Sequence, residues 1–337
     1  MVIEIRDIDR QIWEEELSGF LPQKIFDAHA HLLLPQHNLS QDDIDSVVQP
    51  TVPKQVSKMD GQTARQVYSL LFPGREVSSV FMGWPFERTD FEAVNRFVAE
   101  QAAQDPLSVA FMLTPPSFSA THLAQQVDTY GFRGLKPYLI WTEKRWDANI
   151  TDIIPERLLE VANEKELIIT LHLSKSRAIA DEENIGELVY LSGKYPQLRW
   201  ILAHCARSLV SWPLERAIER IKHLPNLWYD ISTVTDSDVY SLLFRAVPLD
   251  RIMYGSDIPC DLVRGQMVGW GFAWSLLTER VIESMDTVHC DSRATFVAYE
   301  TLRAVRRAIL KEGFGRNQIN DVFFNNAMKL LNLTDSP

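Results

Sequence analysis

Two histidines two residues apart, in Ile25-Phe26-Asp27-Ala28-His29-Ala30-His31, are the residues of this chain best placed to do chemistry. The run is apolar and strand-like, and side chains at i and i+2 of a strand leave the same face. His29 and His31 can therefore grip one metal ion from one direction. Neutral imidazole is the commonest metal-ligating side chain, and a divalent ion held by nitrogen and carboxylate donors with one open position makes hydrolysis accessible near neutral pH. The same spacing also suits two hydrogen-bonded core histidines, so the reading turns on whether other donors join the pair. They fall at the ends of further apolar runs. His172 closes Leu167-Ile168-Ile169-Thr170-Leu171, His204 closes Trp200-Ile201-Leu202-Ala203, and Asp257 follows Ile252-Met253-Tyr254-Gly255-Ser256. His37, His122, His223 and His289 lie in loop-like or helix-like stretches and read as structural.

Donors at the ends of separate runs need a scaffold that gathers strand ends. Eight short β-rich runs recur, near residues 25–31, 77–83, 108–113, 134–139, 167–173, 198–204, 226–231 and 251–256, with helical apolar spacing between them. Near-continuous apolar strands alternating with helices belong to parallel sheets covered on both faces. Eight such units predict an α/β fold, a (β/α)8 TIM barrel, whose catalytic groups sit at the C-terminal strand ends. The 337 residues exceed the ~250 typical of such a barrel, so additions are expected within one domain spanning 1–337. These are an N-terminal helix within 1–20, a long insertion over the barrel mouth at 35–73 with helical character from Thr63 to Leu71, and C-terminal helices across 295–337. A doubly wound open sheet is the competing fold, but no Gly-rich phosphate turn follows any strand.

Composition narrows the function further. Forty-five acidic against 34 basic residues give a net charge of −11, which argues against a nucleic-acid surface. Cys205, Cys260 and Cys290 are scattered without a paired spacing, so neither a disulfide framework nor a cysteine zinc site is implied. With no signal-like or membrane-length apolar segment, the expectation is a cytoplasmic protein without a membrane partner. Around the expected rim, Lys136, Lys175, Arg177, Arg207 and Arg264 lie in or just after strand ends, as do Trp84, Phe86, Tyr138 and Trp141. Singly these are ordinary loop cations and packing aromatics. As a group they suggest a small anionic substrate, held by guanidinium forks and walled by rings. Asp27 shares strand parity with both histidines, so it either fixes the tautomer of a ligand imidazole or caps the barrel floor.

The combination of Asp27-Ala28-His29-Ala30-His31, a histidine after strands 5 and 6, Tyr254-Gly255-Ser256-Asp257-Ile258-Pro259 and the ending Phe324-Asn325-Asn326-Ala327-Met328-Lys329-Leu330-Leu331 resembles the amidohydrolase superfamily. More narrowly it is similar to the amidohydrolase 2 family of metal-dependent TIM-barrel hydrolases and related decarboxylases. The resemblance implies that His29, His31, His172 and Asp257 bind one divalent ion, zinc first and manganese as the alternative. It implies that His204 faces the substrate and polarises the bond under attack. A two-metal arrangement, with Lys136 carboxylated and His204 a ligand, is the other option the family offers. Three imidazoles and one carboxylate leave a Zn²⁺ site at net charge +1, able to polarise a carbonyl, with Asp257 also shuttling a proton. The function expected is hydrolysis of a lactone, amide or related bond in a small carboxylated compound by a metal-bound hydroxide. Non-oxidative decarboxylation of an unsaturated or aromatic acid on the same site is the alternative. The substrate contacts expected are Lys136, Tyr138, Arg177, Arg207, Arg264 and Trp84, and a homodimer is the expected assembly.

Overall fold

The apolar runs become strands where their spacing predicts them. A computed structural model describes residues 3–40 and 56–334. Its main sheet holds β1 (Lys24–Leu32), β2 (Glu76–Gly83), β3 (Val109–Leu113), β4 (Gly134–Lys136), β5 (Ile168–Leu171), β6 (Arg199–Leu202), β7 (Leu227–Asp230) and β8 (Ile252–Met253). They lie side by side in that order, each parallel to its neighbour. The last meets the first through backbone bonds: Ala28 N donates to Tyr254 O at 2.9 Å, and Asp257 N donates to His29 O at 2.7 Å. A (β/α)8 barrel results, with helices between successive strands. Strands 4, 5, 6 and 8 are shorter than predicted, so His172 and His204 stand just past strand ends rather than within them, and Asp257 lies four residues beyond β8.

One irregularity in β1 decides where the site lies. Phe26 and Asp27 pair with Ser78 and Ser79, but Ala30 pairs with Phe81, so two residues of β1 oppose one of β2. A bulge of this kind shifts the two-residue alternation by one. Before it, Phe26 and Ala28 pack with Val80, Met82, Phe111, Ile168, Ile201 and Met253 inside the barrel. After it, Ala30 and Leu32 join the outer layer under the helices, and His29 and His31 turn inward. Beneath them, Ala327, Met328, Leu330 and Leu331 of the C-terminal helix pack onto those interior residues. Asn326 holds this helix by donating to the carbonyls of Leu249 and Ile252, both at 2.8 Å. The C-terminal helix thereby covers the floor of the barrel.

The additions differ in part from expectation. The N-terminal helix runs Asp7–Ile12 and continues as a wider turn over Trp13–Leu17. Much of the predicted insertion lies outside the described residues, and its helical part, Gly61–Leu71, is a member of the barrel's helix ring that packs its buried face inward. The C-terminal block forms Val297–Lys311, Arg316–Asn320 and Asn326–Leu330. Sequence reading missed an antiparallel hairpin after strand 8, β9 (Gly265–Trp270) and β10 (Ala273–Thr278). No helix among the described residues is long and apolar enough to cross a membrane.

Candidate metal centre

His29 Nδ1 lies 3.0 Å from Asp230 Oδ2, and His31 Nδ1 lies 2.8 Å from the carbonyl oxygen of Gly83. A carbonyl only accepts, and an ionised carboxylate only accepts, so each Nδ1 carries the hydrogen. Both Nε2 atoms are then bare lone pairs, yet they face each other at 3.2 Å with no hydrogen to place between them. Asp257 Oδ1 is 3.4 Å from each. Three lone-pair donors converging from two strands inside a buried pocket form an arrangement that a cation resolves, and the residues fit a divalent ion of the zinc class.

Electrostatics agree with the geometry. Burial drives His29 down to about 4, with the Lys136 ammonium adding to the fall, so the ring is neutral. Burial alone would raise the Asp257 carboxyl, but His29, His204 and His31 outweigh it and hold the group ionised. Lys136, fully buried, places Nζ 3.1 Å from His29 Nε2. Burial lowers its amine to about 8 against the pull of Asp257 and Asp230.

Asp230, which sequence reasoning missed, organises the neighbourhood. One oxygen takes His29 Nδ1–H; the other accepts from His204 N at 3.0 Å, Ser232 N at 3.1 Å and Ser232 Oγ at 2.5 Å. Burial opposes its ionisation, and His29 overrides that, keeping it charged. His29, His204 and Asp230 also converge as possible ligands. That grouping is already closed by its own hydrogen bonds, since His204 Nδ1 is occupied by Ser232 Oγ at 2.8 Å, so we assign it as a lock rather than an ion site. The one sequence cue for Asp230 was its place as the last residue of β7, matching the other strand-end donors.

Beyond β6 the chain takes four left-handed residues in succession, His204, Cys205, Ala206 and Arg207, with φ between 53° and 61°. This conformation costs roughly 1–2 kcal/mol per non-glycine residue and persists only where surroundings enforce it. Here the Asp230 bond to His204 N anchors its start. Its result is that His204 stacks on His29 with ring centres 5.3 Å apart, and Arg207 reaches the mouth. At strand 8, Gly255 is required for a different reason. A Cβ there would sit 2.9 Å from His29 Cβ.

The predicted residues sort as follows. His29, His31 and Asp257 are brought together directly, and His204 is next to them. His172 lies one ring further along, 5.4 Å from the ring centre of His204, with Nδ1 buried and without a hydrogen-bond partner; it is in neither converging set. Tyr138 flanks His172 at 5.3 Å and Lys136 at 5.9 Å, and Trp84 sets its edge against His31 at 5.5 Å. Arg207 lies between the indoles of Trp146, at 4.6 Å, and Trp274 of the hairpin, at 5.7 Å. It makes no ion pair among the described residues; Nη1 donates to Lys175 O at 2.6 Å, and burial lowers the guanidinium to about 10.

The expectations for Arg264 and Asp27 need correction, and Arg177 and Lys175 have neighbours of their own. Arg264 is committed elsewhere: it forks onto both oxygens of the buried Asp9, at 2.9 and 2.6 Å, and donates to Glu4 O and Ala294 O. Arg177 is exposed and lies over Trp212 at 5.9 Å, and Lys175 pairs with Glu183 at 2.5 Å. Asp27 neither touches an imidazole ring nor shares the histidines' face, because the bulge turns it outward. It accepts from His29 N at 3.0 Å, Ser256 N at 2.8 Å, Tyr68 Oη at 2.7 Å and the Ser256 hydroxyl.

Residues 26–333 match the sequence model of the amidohydrolase family, second type. No curated protein sequence matches the chain. Among solved structures, an amidohydrolase from Burkholderia multivorans with bound HEPES superposes at TM-score 0.61 with 12% identity, over 92% of this chain and 99% of that one. The 4-oxalomesaconate hydratase of Rhodopseudomonas palustris gives 0.58 and 17% over 91% and 95%. The 5-carboxyvanillate decarboxylase of Sphingomonas paucimobilis gives 0.59 and 13% over 93% and 100%. At such identities the structural likeness speaks for the fold, and the match along nearly the whole sequence speaks for kinship: the chain belongs to the amidohydrolase family.

Proposed function

We propose that the protein is a metal-dependent hydrolase acting on a small carboxylated compound through a lactone, amide or related bond. The observation that carries the reading is the pair of hydrogen-free Nε2 atoms at 3.2 Å, with the Asp257 carboxylate completing their circle. His29, His31 and Asp257 hold the ion in this reading, and the orphaned ring of His172 supplies a further donor. When bound, a divalent ion acidifies water and polarises a carbonyl.

The remaining steps belong to side chains. Asp257 accepts a proton from the attacking water and delivers it to the leaving group. His204, whose Nδ1–H donates to Ser232 Oγ because the serine hydrogen goes to Asp230, aims the Nε2 lone pair at the substrate and accepts a hydrogen bond there. Arg207, held between two indoles and without an acidic partner among the described residues, takes the substrate carboxylate, and Lys136 assists at the inner end.

One observation favours a second reaction class. Tyr138, Trp146 and Trp274 wall the mouth around Arg207 and His172, a setting suited to a flat unsaturated acid. Non-oxidative decarboxylation of such an acid would use the same ion, with Asp257 relaying a proton from water to the carbon that CO2 leaves. Two of the solved relatives, the hydratase and the decarboxylase, carry names of carboxylated compounds. Incubating zinc- or manganese-loaded protein with carboxylated lactones, amides and aromatic acids, while recording proton release and CO2 release separately, divides the two. Proton release without CO2 supports hydrolysis, CO2 release supports the second class, and turnover only of uncharged analogues contradicts the anionic substrate in both.

A further inference from the structure

Asp261 is buried four residues beyond Asp257 and plays no part in the scheme above. Its Oδ1 lies 3.0 Å from Thr233 Oγ1, and the same hydroxyl lies 3.3 Å from Asp257 Oδ2. Asp261 Oδ2 has no hydrogen-bond partner, and no Lys or Arg among the described residues pairs with this carboxyl. Thr233 reaches its bracketed position only by adopting φ 62°, a conformation that β-branched residues rarely take. Strain of that kind is kept where the surroundings demand one particular placement.

A single hydroxyl hydrogen cannot serve two carboxylates. One of the two acids must carry its own hydrogen, and Asp257, whose other oxygen meets the imidazole pair, is the one that needs its lone pairs. We propose that Thr233 and Asp261 are positioning residues for Asp257: Asp261, as a neutral acid, donates to Thr233 Oγ1, and Thr233 donates to Asp257 Oδ2, leaving Oδ1 alone to face the histidines. Burial, followed by the nearby carboxyls of Asp257 and Asp27, pushes Asp261 well above the usual carboxylate range, as a neutral donor requires. The chain of two hydrogen bonds fixes the rotation of the Asp257 carboxylate from the Oδ2 side, beside the Cys260 thiol that also bonds this group.

The inference rests on the metal reading, and the test separates the two. Zinc affinity of the full-length apo-protein is measured by competition with a chromophoric chelator, and the visible absorption of the Co²⁺-loaded form is recorded. Thr233→Val, which keeps size and branching, and Asp261→Ala should each weaken zinc about tenfold and alter the cobalt bands, with far-UV circular dichroism and apo thermal midpoint kept. Thr233→Ser restores the hydroxyl, and Asp261→Asn offers an amide N–H donor in place of the acid, so both should bind within about threefold of wild type. Wild-type affinity in Thr233→Val, or an Asp261→Asn variant as weak as Asp261→Ala, would overturn the inference while leaving the metal site intact. If Asp261→Ala loses its fold, the Thr233 pair still decides. Wild-type protein that takes up no zinc or cobalt would remove the metal reading, and this inference with it.

Discussion

Asp27 and Asp230 are both fully buried, and both bond to His29, yet they sit on opposite sides of the barrel wall and their carboxyls are shifted in opposite directions. Asp230 faces inward and takes the ring hydrogen of His29, and the imidazoles around it hold it ionised. Asp27 faces outward and takes the backbone N–H of the same residue; burial pushes it up to about 6 although Ser256 and Tyr68 hydroxyls partly offset this. Burial costs both carboxyls ionisation, and the partners decide the outcome. The inner acid therefore acts on the donor power of a ligand, whereas the outer acid fastens strand 1, strand 8 and the helix Gly61–Leu71 together.

The sharpest way to break this contrast is Asp230→Ala. It frees the His29 ring, releases His204 N and Ser232, and relaxes the left-handed turn. Zinc affinity should fall about 10- to 100-fold, measured by chelator competition, with a drop in thermal midpoint as well. Asp27→Asn should do the reverse: a loss of about 1–3 kcal/mol in urea unfolding of the metal-free protein, since one amide hydrogen must oppose a donor, with zinc affinity within about threefold of wild type. A large affinity loss there would erase the distinction between the two acids.

A pH series sharpens it. Because the folded carboxyl of Asp27 lies above its unfolded value, its contribution to stability is complete below the unfolded value near 4. It is lost as pH rises through about 6. The stability gap between metal-free wild type and Asp27→Asn should therefore narrow from pH 4 to pH 7, and a gap that widens would reverse the assignment. The smallest expected effect lies at the mouth. Arg207→Ala should weaken inhibition by small mono- and dicarboxylates about tenfold while leaving zinc affinity unchanged, which inhibition titrations on metal-loaded protein would measure.

Much of this architecture is legible in the sequence because its signals are local. The His-x-His pair, the histidines closing runs 5 and 6 and the Asp after Tyr-Gly-Ser each sit in a recognisable apolar segment, and eight segments in alternation dictate a barrel. What escaped is set by contacts distant in the chain or by dihedral angles. The bulge in β1 depends on pairing with β2, so Asp27 was placed on the histidines' face when it lies on the other. Asp230 meets His29 across 201 positions, and Arg264 is consumed by Asp9 across 255, neither of which any spacing announces. The turn at His204–Arg207 contains no glycine to betray its handedness. The hairpin did leave a cue in Trp270-Gly271-Phe272-Ala273, where Gly271 adopts φ 55° at the two-residue turn.

The central claim is that His29, His31 and Asp257 share one cation. Its most direct test is a crystal of protein loaded with zinc, with diffraction recorded on both sides of the zinc absorption edge. The account predicts one strong anomalous peak bounded by the two Nε2 atoms and Asp257 Oδ1. A metal-loaded crystal with no peak there, or with its only peak at a site that excludes both histidines, would contradict it.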